Sequence, residues 1–339
     1  MRLSVSQCQA VLPKSRKDLI SQPGDLIAEI PVDAESSVII FESAGRKFLA
    51  PVIKSLKDSN QFRRADSEDK FNIKLLNSHS LVGLTSTIKV EQFLPLTQER
   101  VIAADQSNQS FVLNEKVIVK WQLQIEDNPA PAKELLLTNS NFPYLPKLIG
   151  HIFWNGHLLA TANQYILQAE DGWSWCVEKA KNNLGGKWIS ELAKLTKSMH
   201  AALSGKIHGD FHIGQILKQP TSDQLWVIDF EGDPLLNQPE NFDRLYDLAR
   251  MCASFFHVGA VANKYGADLN LVKTWITNSV KQYLELYFGN EEYDLKQLNK
   301  LILTTQDRER TYAAKFLPRW AYAPEFAIKF MKELNYGSN

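Results

Sequence analysis

Residues 207–217, IHGDFHIGQIL, and 225–232, LWVIDFEG, constrain this chain more than any other stretch. Asp210 and Gln215 stand on an irregular loop that leads into a strand, QILK. Asp229 ends the next strand, QLWVIDF, which is apolar up to that acid. An acid, an amide and a second acid in this order suit phosphoryl transfer from a metal-bound nucleotide. Such a reaction needs a carboxylate to take the proton of the acceptor hydroxyl. It needs oxygen ligands for Mg²⁺, a hard octahedral ion, and neutralisation of charge on the β- and γ-phosphates. Asp210 suits the base, Gln215 a neutral oxygen ligand and Asp229 the metal bridge.

Composition excludes several other classes. The 339 residues contain 38 Lys plus Arg against 38 Asp plus Glu, and this zero balance argues against a nucleic-acid binder driven by bulk charge. No apolar stretch reaches the ~18 residues of a membrane span. The start, MRLSVSQCQAVLPKSRKD, lacks the apolar run of a secretory signal. Cys8, Cys176 and Cys252 share no metal-ligand spacing, and an odd count argues against a disulfide framework. The expectation is a soluble cytoplasmic protein with a small-molecule substrate and no nucleic-acid or membrane partner.

Strands come first and helices later, which reads as an α+β chain in two lobes. SSVIIF at 36–41 and RKFLAPVI at 46–53 are strands about a turn at Ser43–Gly45. The charged stretch 57–70 reads as a surface loop or exposed helix. From 84 to 123, TSTIKVEQFL, ERVIAA, SFVL and KVIVKW form an antiparallel meander. A helix over 132–139 and a strand over 157–166 follow. Apolar steps of three and four then predict helices at 188–203, from 242 to about 255, and over 270–287, 294–316 and 324–334. The lobe boundary falls near Asp171, giving segments 1–83, 84–168 and 169–339.

Protein kinases use H-R-D-x-x-x-x-N and then D-F-G in the roles given above to Asp210, Gln215 and Asp229. H-G-D-x-H followed by I-D-F resembles the aminoglycoside phosphotransferase family of small-molecule kinases. HGDFHIGQIL and IDFEGDP are most similar to bacterial maltokinases and glucosamine kinases, with Gln in place of the usual Asn and a D-F-E-G-x-P run. DQSNQSFVLNEKVIVK at 105–120, AEDGWSW at 169–175 and YAAKFLPRW at 312–320 support the narrower likeness, which runs from about residue 84 to the end. The resemblance implies a bilobal protein-kinase-like fold with an N-terminal α+β cap over 1–83. It implies ATP and Mg²⁺ as cofactors, and phosphorylation of a sugar such as maltose or glucosamine. A functional link to other carbohydrate enzymes would follow. A kinase of an aminocyclitol, choline or homoserine, or a non-catalytic nucleotide-binding member of the fold, are the alternatives.

The resemblance also distributes roles. Lys120 in VIVK would contact the phosphates, with Glu134 on the following helix as its partner. The 105–110 turn would lie over the phosphates. It has no glycine, so Ser107, Asn108 and Ser110 are its candidate donors. Gln164 and Ile166 would belong to the adenine hinge, with Tyr165 between them. Glu231 is a further metal ligand or a solvated turn residue. His208 would hold its loop through a backbone hydrogen bond, and Asp247 would brace the same backbone.

On the acceptor side stand His212, Asp171, Trp173, Tyr312, Arg319 and Trp320, because sugars are bound by polar groups beside aromatic faces. Asp171 is equally a helix N-cap, and His212 equally a support of its loop. Maltokinases generally have an acid after the tyrosine of the 312–320 segment. Here Ala313 follows Tyr312, and Phe316-Leu317 precedes Pro318, so a less polar acceptor pocket is expected.

Overall fold

The computed structural model describes residues 1–55, 61–77, 83–102, 108–233 and 241–334. The described residues fall into two compact units, 1–131 with 146–167, and 132–145 with 168–339.

The first unit is built on two antiparallel sheets. One holds β1 (Arg2–Leu3), β2 (Gly24–Pro31), β3 (Ser36–Ser43), β4 (Arg46–Lys54) and β5 (Phe62–Arg64), in that order. Helices α1 (Val5–Ala10) and α2 (Phe71–Asn77) accompany it. Strand β3 is buried on both faces because side chains alternate along a strand. Val38 and Ile40 enter one core, and Ile39 and Phe41 enter another with Cys8, Val11 and Phe48. The second sheet is ordered β6-β10-β11-β9-β8-β7. Its strands are β6 (Thr85–Ser86), β7 (Glu99–Val101), β8 (Gln109–Leu113), β9 (Val117–Trp121), β10 (Leu148–Trp154) and β11 (His157–Gln164). The two sheets share a core, in which Ile30, Val38 and Leu49 meet Phe111, Val119, Trp121 and Ile152. Backbone also joins them, through Leu49 N to Leu123 O at 3.0 Å and Ile125 N to Lys47 O at 2.9 Å. The described residues of 1–83 are therefore packed into the same unit as the strands that follow.

Two expectations change here. Most of 84–93 is not strand: it pairs only at Thr85–Ser86, and Glu91–Phe93 is a 3₁₀ turn. The true meander is β7-β8-β9, and β10 pairs with the distant β6. The charged stretch 57–70 is part strand, since β5 pairs with β4, and Arg63 clasps Asp69 through both guanidinium nitrogens. Residues 56–60 lie outside the described residues.

The second unit begins with α3 (Ala130–Asn139), which lies within it from residue 132. It continues with α4 (Gly172–Lys181), α5 (Lys187–Leu203), a hairpin of β12 (Ile216–Lys218) and β13 (Leu225–Val227), α6 (Arg244–Lys264), α7 (Leu269–Phe288), α8 (Leu295–Phe316) and α9 (Tyr322–Glu333). Helix α6 is the hub and packs against α4, α7, α8 and α9. It is buried from Leu245 to Ala260, so the polar residues within that stretch need partners inside the protein. The first unit is β-rich and the second helical, the α+β order of elements expected from the sequence. Among the described residues, no helix is long and apolar enough to cross a membrane.

Candidate active site

Asp247, Arg250, Ser254 and His257 follow one another at steps of three and four, so they share one face of α6. That face holds the 208–213 loop almost residue by residue. Asp247 accepts from the amides of His208 (2.7 Å) and Gly209 (2.9 Å). The Arg250 guanidinium clasps the Asp210 carboxylate. Ser254 Oγ accepts from Ile213 N at 3.1 Å. His257 Nε2 lies 2.5 Å from Gln306 Oε1 on α8. Bracing of the loop backbone by Asp247 agrees with the reading of LYDLAR, whereas the role of Arg250 was missed. The signal was present in the sequence: a cation one turn beyond an acid in an otherwise apolar helix must find a buried partner.

His208 sits between Phe211 and Phe230, with Nε2 3.0 Å from Ile228 O and Nδ1 3.3 Å from Asp210 N. Burial holds its pKa down, so the ring is neutral, donates through Nε2 and accepts at Nδ1. This is the architectural role expected of it, linking the Asp210 loop to the strand before Asp229. His212 caps the following 3₁₀ turn through Nδ1, which accepts from Gly214 N at 3.1 Å. Its Nε2 then points toward Asp210 Oδ2 at 3.8 Å and the Gln215 amide at 3.5 Å. Burial lowers the His212 pKa, opposed by Asp210.

Gln215 and Asp229 are brought together by the β12–β13 hairpin. Ile228 N donates to Gln215 O at 3.0 Å, and Gln215 Nε2 lies 3.5 Å from Asp229 Oδ2. Asp229 stands just beyond β13 rather than at its end. Its φ of +69° is a left-handed conformation that is uncommon for a residue with a side chain. Such geometry is held in place by surrounding structure and is frequent at functional sites.

Among the described residues no three His, Cys, Asp or Glu side chains form a metal-binding group. The local chemistry nevertheless fits Mg²⁺, which takes one or two protein carboxylates and completes its shell with phosphate oxygens and water. Asp229 supplies a carboxylate, and Gln215 supplies Oε1 once its amide turns. Glu231, two residues on, lies in the same turn region.

Asp210 is ionised. Burial raises its pKa, but the charge of Arg250, helped by His212 and His208, holds it below the ordinary carboxylate value. Arg250 is 7% exposed and also faces Asp233 at 3.3 Å and Glu309 at 3.7 Å. Arg308 donates to Asp233 at 2.5 Å and to the Tyr246 hydroxyl at 2.7 Å. The expected loss of polarity near Ala313 therefore needs correction. Ala313 is buried, and α8 supplies polar groups about one turn earlier, at Arg308 and Glu309.

The acceptor-side residues separate. Trp173 lies 5.9 Å from the His212 ring and 5.5 Å edge-on from Trp320, so these three gather. Asp171 caps α4, with Oδ1 accepting from Ser174 N at 3.0 Å. Arg319 is exposed and Tyr312 half-buried. Gly172 explains why the segment 171–173 sits against the loop. A Cβ there would lie 1.9 Å from Ile213 O, so only glycine permits the approach.

In the first unit, Ser110 on β8 is directly paired with Lys120 on β9. Asn108 precedes that strand, and Ser107 lies outside the described residues, as do the other residues of 103–107. Gln164 N donates to Lys147 O and Tyr165 N to Lys116 O, while Ile166 is buried. Tyr165 is half-buried: Arg100 donates to its hydroxyl at 2.9 Å and lies over its ring. Lys120 belongs to the first unit and Glu134 to the second.

No family model matches the chain. It is 25% identical to a glucosamine kinase of Streptacidiphilus jiangxiensis, over 69% of this chain and 73% of that protein. It is 26% identical to a glucosamine kinase of Mycolicibacterium smegmatis, over 68% and 78% respectively. A solved glucosamine kinase structure superposes with a TM-score of 0.77 at 22% identity, covering 96% of this chain and 97% of the other. Another, in complex with glucosamine, ADP and inorganic phosphate, gives 0.70 at 21% identity, covering 95% and 98%. In sequence the chain is therefore similar to glucosamine kinases, and it shares the fold of the solved ones.

Proposed function

We propose that this chain transfers the γ-phosphoryl group of ATP to a hydroxyl of an amino sugar of the glucosamine type. The convergence of Asp210, His212, Gln215 and Asp229 on one loop and hairpin carries the reading. Asp210 takes the proton of the acceptor hydroxyl. It is deprotonated at neutral pH, and a loose transition state lets the proton leave late, so a weakly basic carboxylate is sufficient. Arg250 holds that carboxylate in one orientation. Gln215 and Asp229, with Glu231 as a further candidate, would hold Mg²⁺, whose charge neutralises the β- and γ-phosphates when bound. Lys120, Asn108 and Ser110 are assigned to the phosphates. The backbone of Gln164 to Ile166 is assigned to the adenine.

His212, Trp173 and Trp320 are proposed to face the sugar, with Asp171, Tyr312 and Arg319 farther out. The charges beside Asp210 favour an amine over a neutral disaccharide such as maltose. Asp210, Asp233 and Glu309 set three carboxylates against the two guanidiniums of Arg250 and Arg308. Carboxylates beside the acceptor base are the groups that would meet an ammonium. The relatives act in the same direction, both being glucosamine kinases. A cytoplasmic location, where ATP is supplied, goes with this reading.

The test is a coupled ADP-release screen over glucosamine, glucose, maltose and an aminocyclitol. Glucosamine is expected to give the highest kcat/KM. Equal turnover of glucose and glucosamine would remove the amine argument. Tight ATP binding without turnover of any acceptor would favour a non-catalytic member of the fold.

A further inference from the structure

Lys133 stands one residue before Glu134 on α3 and was not singled out by its motif. It is 7% exposed, and Nζ donates to the backbone carbonyl of His208 at 2.8 Å. The same residue's amide, and that of Gly209, are held by Asp247, which is fully buried. The loop entering Asp210 is thus gripped from both sides, its amides by a carboxylate on α6 and its carbonyl by an ammonium on α3.

Two glycines define where that ammonium stands. A Cβ on Gly209 would lie 3.9 Å from Lys133 Nζ, and one on Gly232 would lie 3.7 Å from it. Nζ is therefore beside both the H-G-D loop and the D-F-E-G turn. The two segments themselves touch, since a Cβ on Gly209 would be 3.3 Å from Gly232 Cα. Gly209 has φ +90°, a conformation open to glycine and costly for other residues, so the chain is intrinsically free to swing there. An apolar side chain would fill the Lys133 site without burying a charge, so the ammonium is best understood by what it holds. Burial pushes the Lys133 pKa down to about 8, opposed by the charge of Asp247 and reinforced by Lys206.

We infer that Lys133 is a positioning residue of the phosphotransfer site, fixing the His208–Gly209 peptide against Asp247 and thereby the place of Asp210. The inference rests on the kinase reading for its kinetic consequence, though not for its structural one. Lys133 bonds to the loop backbone and acts on Asp210 through it.

Lys133→Met and Lys133→Arg test it by two readouts. Amide hydrogen exchange across 205–213 in the nucleotide-free protein requires no turnover. Exchange in this loop is expected to rise about tenfold in Lys133→Met, because its restraint becomes one-sided. Turnover is expected to fall about tenfold to a hundredfold, as for a misplaced reacting group, while KM for ATP and acceptor stays within about twofold. Lys133→Arg, which keeps a cationic donor, is expected to recover part of both. If the methionine variant fails to fold, Lys133→Gln serves, with the same direction expected. Loop exchange and kcat within about twofold of wild type would overturn the inference. So would losses that track a fall in Tm and are not recovered by arginine. A chain inactive toward every acceptor would count against the proposed function, while loop exchange would still decide the role of Lys133.

Discussion

At the residue scale the account turns on Asp210 and the cation that holds it. Asp210→Ala is expected to lower turnover ~10²- to 10⁴-fold, the usual cost of losing a positioned base, with nucleotide affinity retained by calorimetry. Arg250→Met removes the main charge that keeps Asp210 ionised. The Asp210 pKa is then expected to rise, so the acid limb of the kcat/KM profile moves to higher pH. An unmoved limb would show that Arg250 does not control Asp210. The same variant takes the buried cation away from Asp210, a situation that typically costs roughly 3–5 kcal/mol in unfolding titrations. Asp210, Gln215 and Asp229 were legible because motif spacing reports chemistry directly. Arg250, Lys133 and Glu309 were not, because each acts across a contact between segments far apart in sequence. Only the burial of a charge in an apolar helix hints at such contacts beforehand.

At the element scale, α6 and the 208–215 loop form one device, with α4 pressed against its far side. Gly172→Ala would set a methyl group 1.9 Å from Ile213 O, and backbone on both sides would have to move. The expected cost is at least about 3 kcal/mol in a denaturant titration, the upper end for overpacking. A loss under about 0.5 kcal/mol would show that the α4–loop contact is loose. The long helices were legible from their apolar steps, and β3, β4, β8 and β9 from β-branched runs with turn residues between them. Strand β10, LIGHIFW, was missed. A short apolar run interrupted by glycine has no period that separates strand from loop, and its pairing with the distant β6 has no local signal. Likewise 84–93 looked like strand by composition yet found a ladder partner at only two residues. Neither error touched the loop and hairpin that bring Asp210, Gln215 and Asp229 together.

At the scale of the whole molecule, two features stand out. Residues 1–83 share a core with the second sheet, so removing them would expose Phe111, Val119 and Trp121. The reading of 1–83 as a cap rested on position alone, because the joining contacts run between strands with no motif. The second feature is a pair of buried histidines, His208 and His257, held by burial below the usual imidazole value. Burial pushes His257 down to about 4, opposed in part by its bond to Gln306. The unfolded chain, with histidine near ~6.5, binds more protons than the native one between these values. Stability is therefore expected to be full above about pH 6.5 and to fall as pH drops toward 4. His257→Gln is expected to flatten that fall in thermal melts. An unchanged slope would show that His257 does not carry it.

The central claim is that this chain makes a sugar phosphate from ATP. The most direct measurement is to incubate it with ATP, Mg²⁺ and glucosamine and to identify the products by mass spectrometry. Glucosamine phosphate is expected to accumulate in step with ADP, and to fall by at least ~10²-fold in Asp210→Ala. ADP released without a phosphorylated sugar, or a phosphorylated sugar formed equally well by Asp210→Ala, would contradict it.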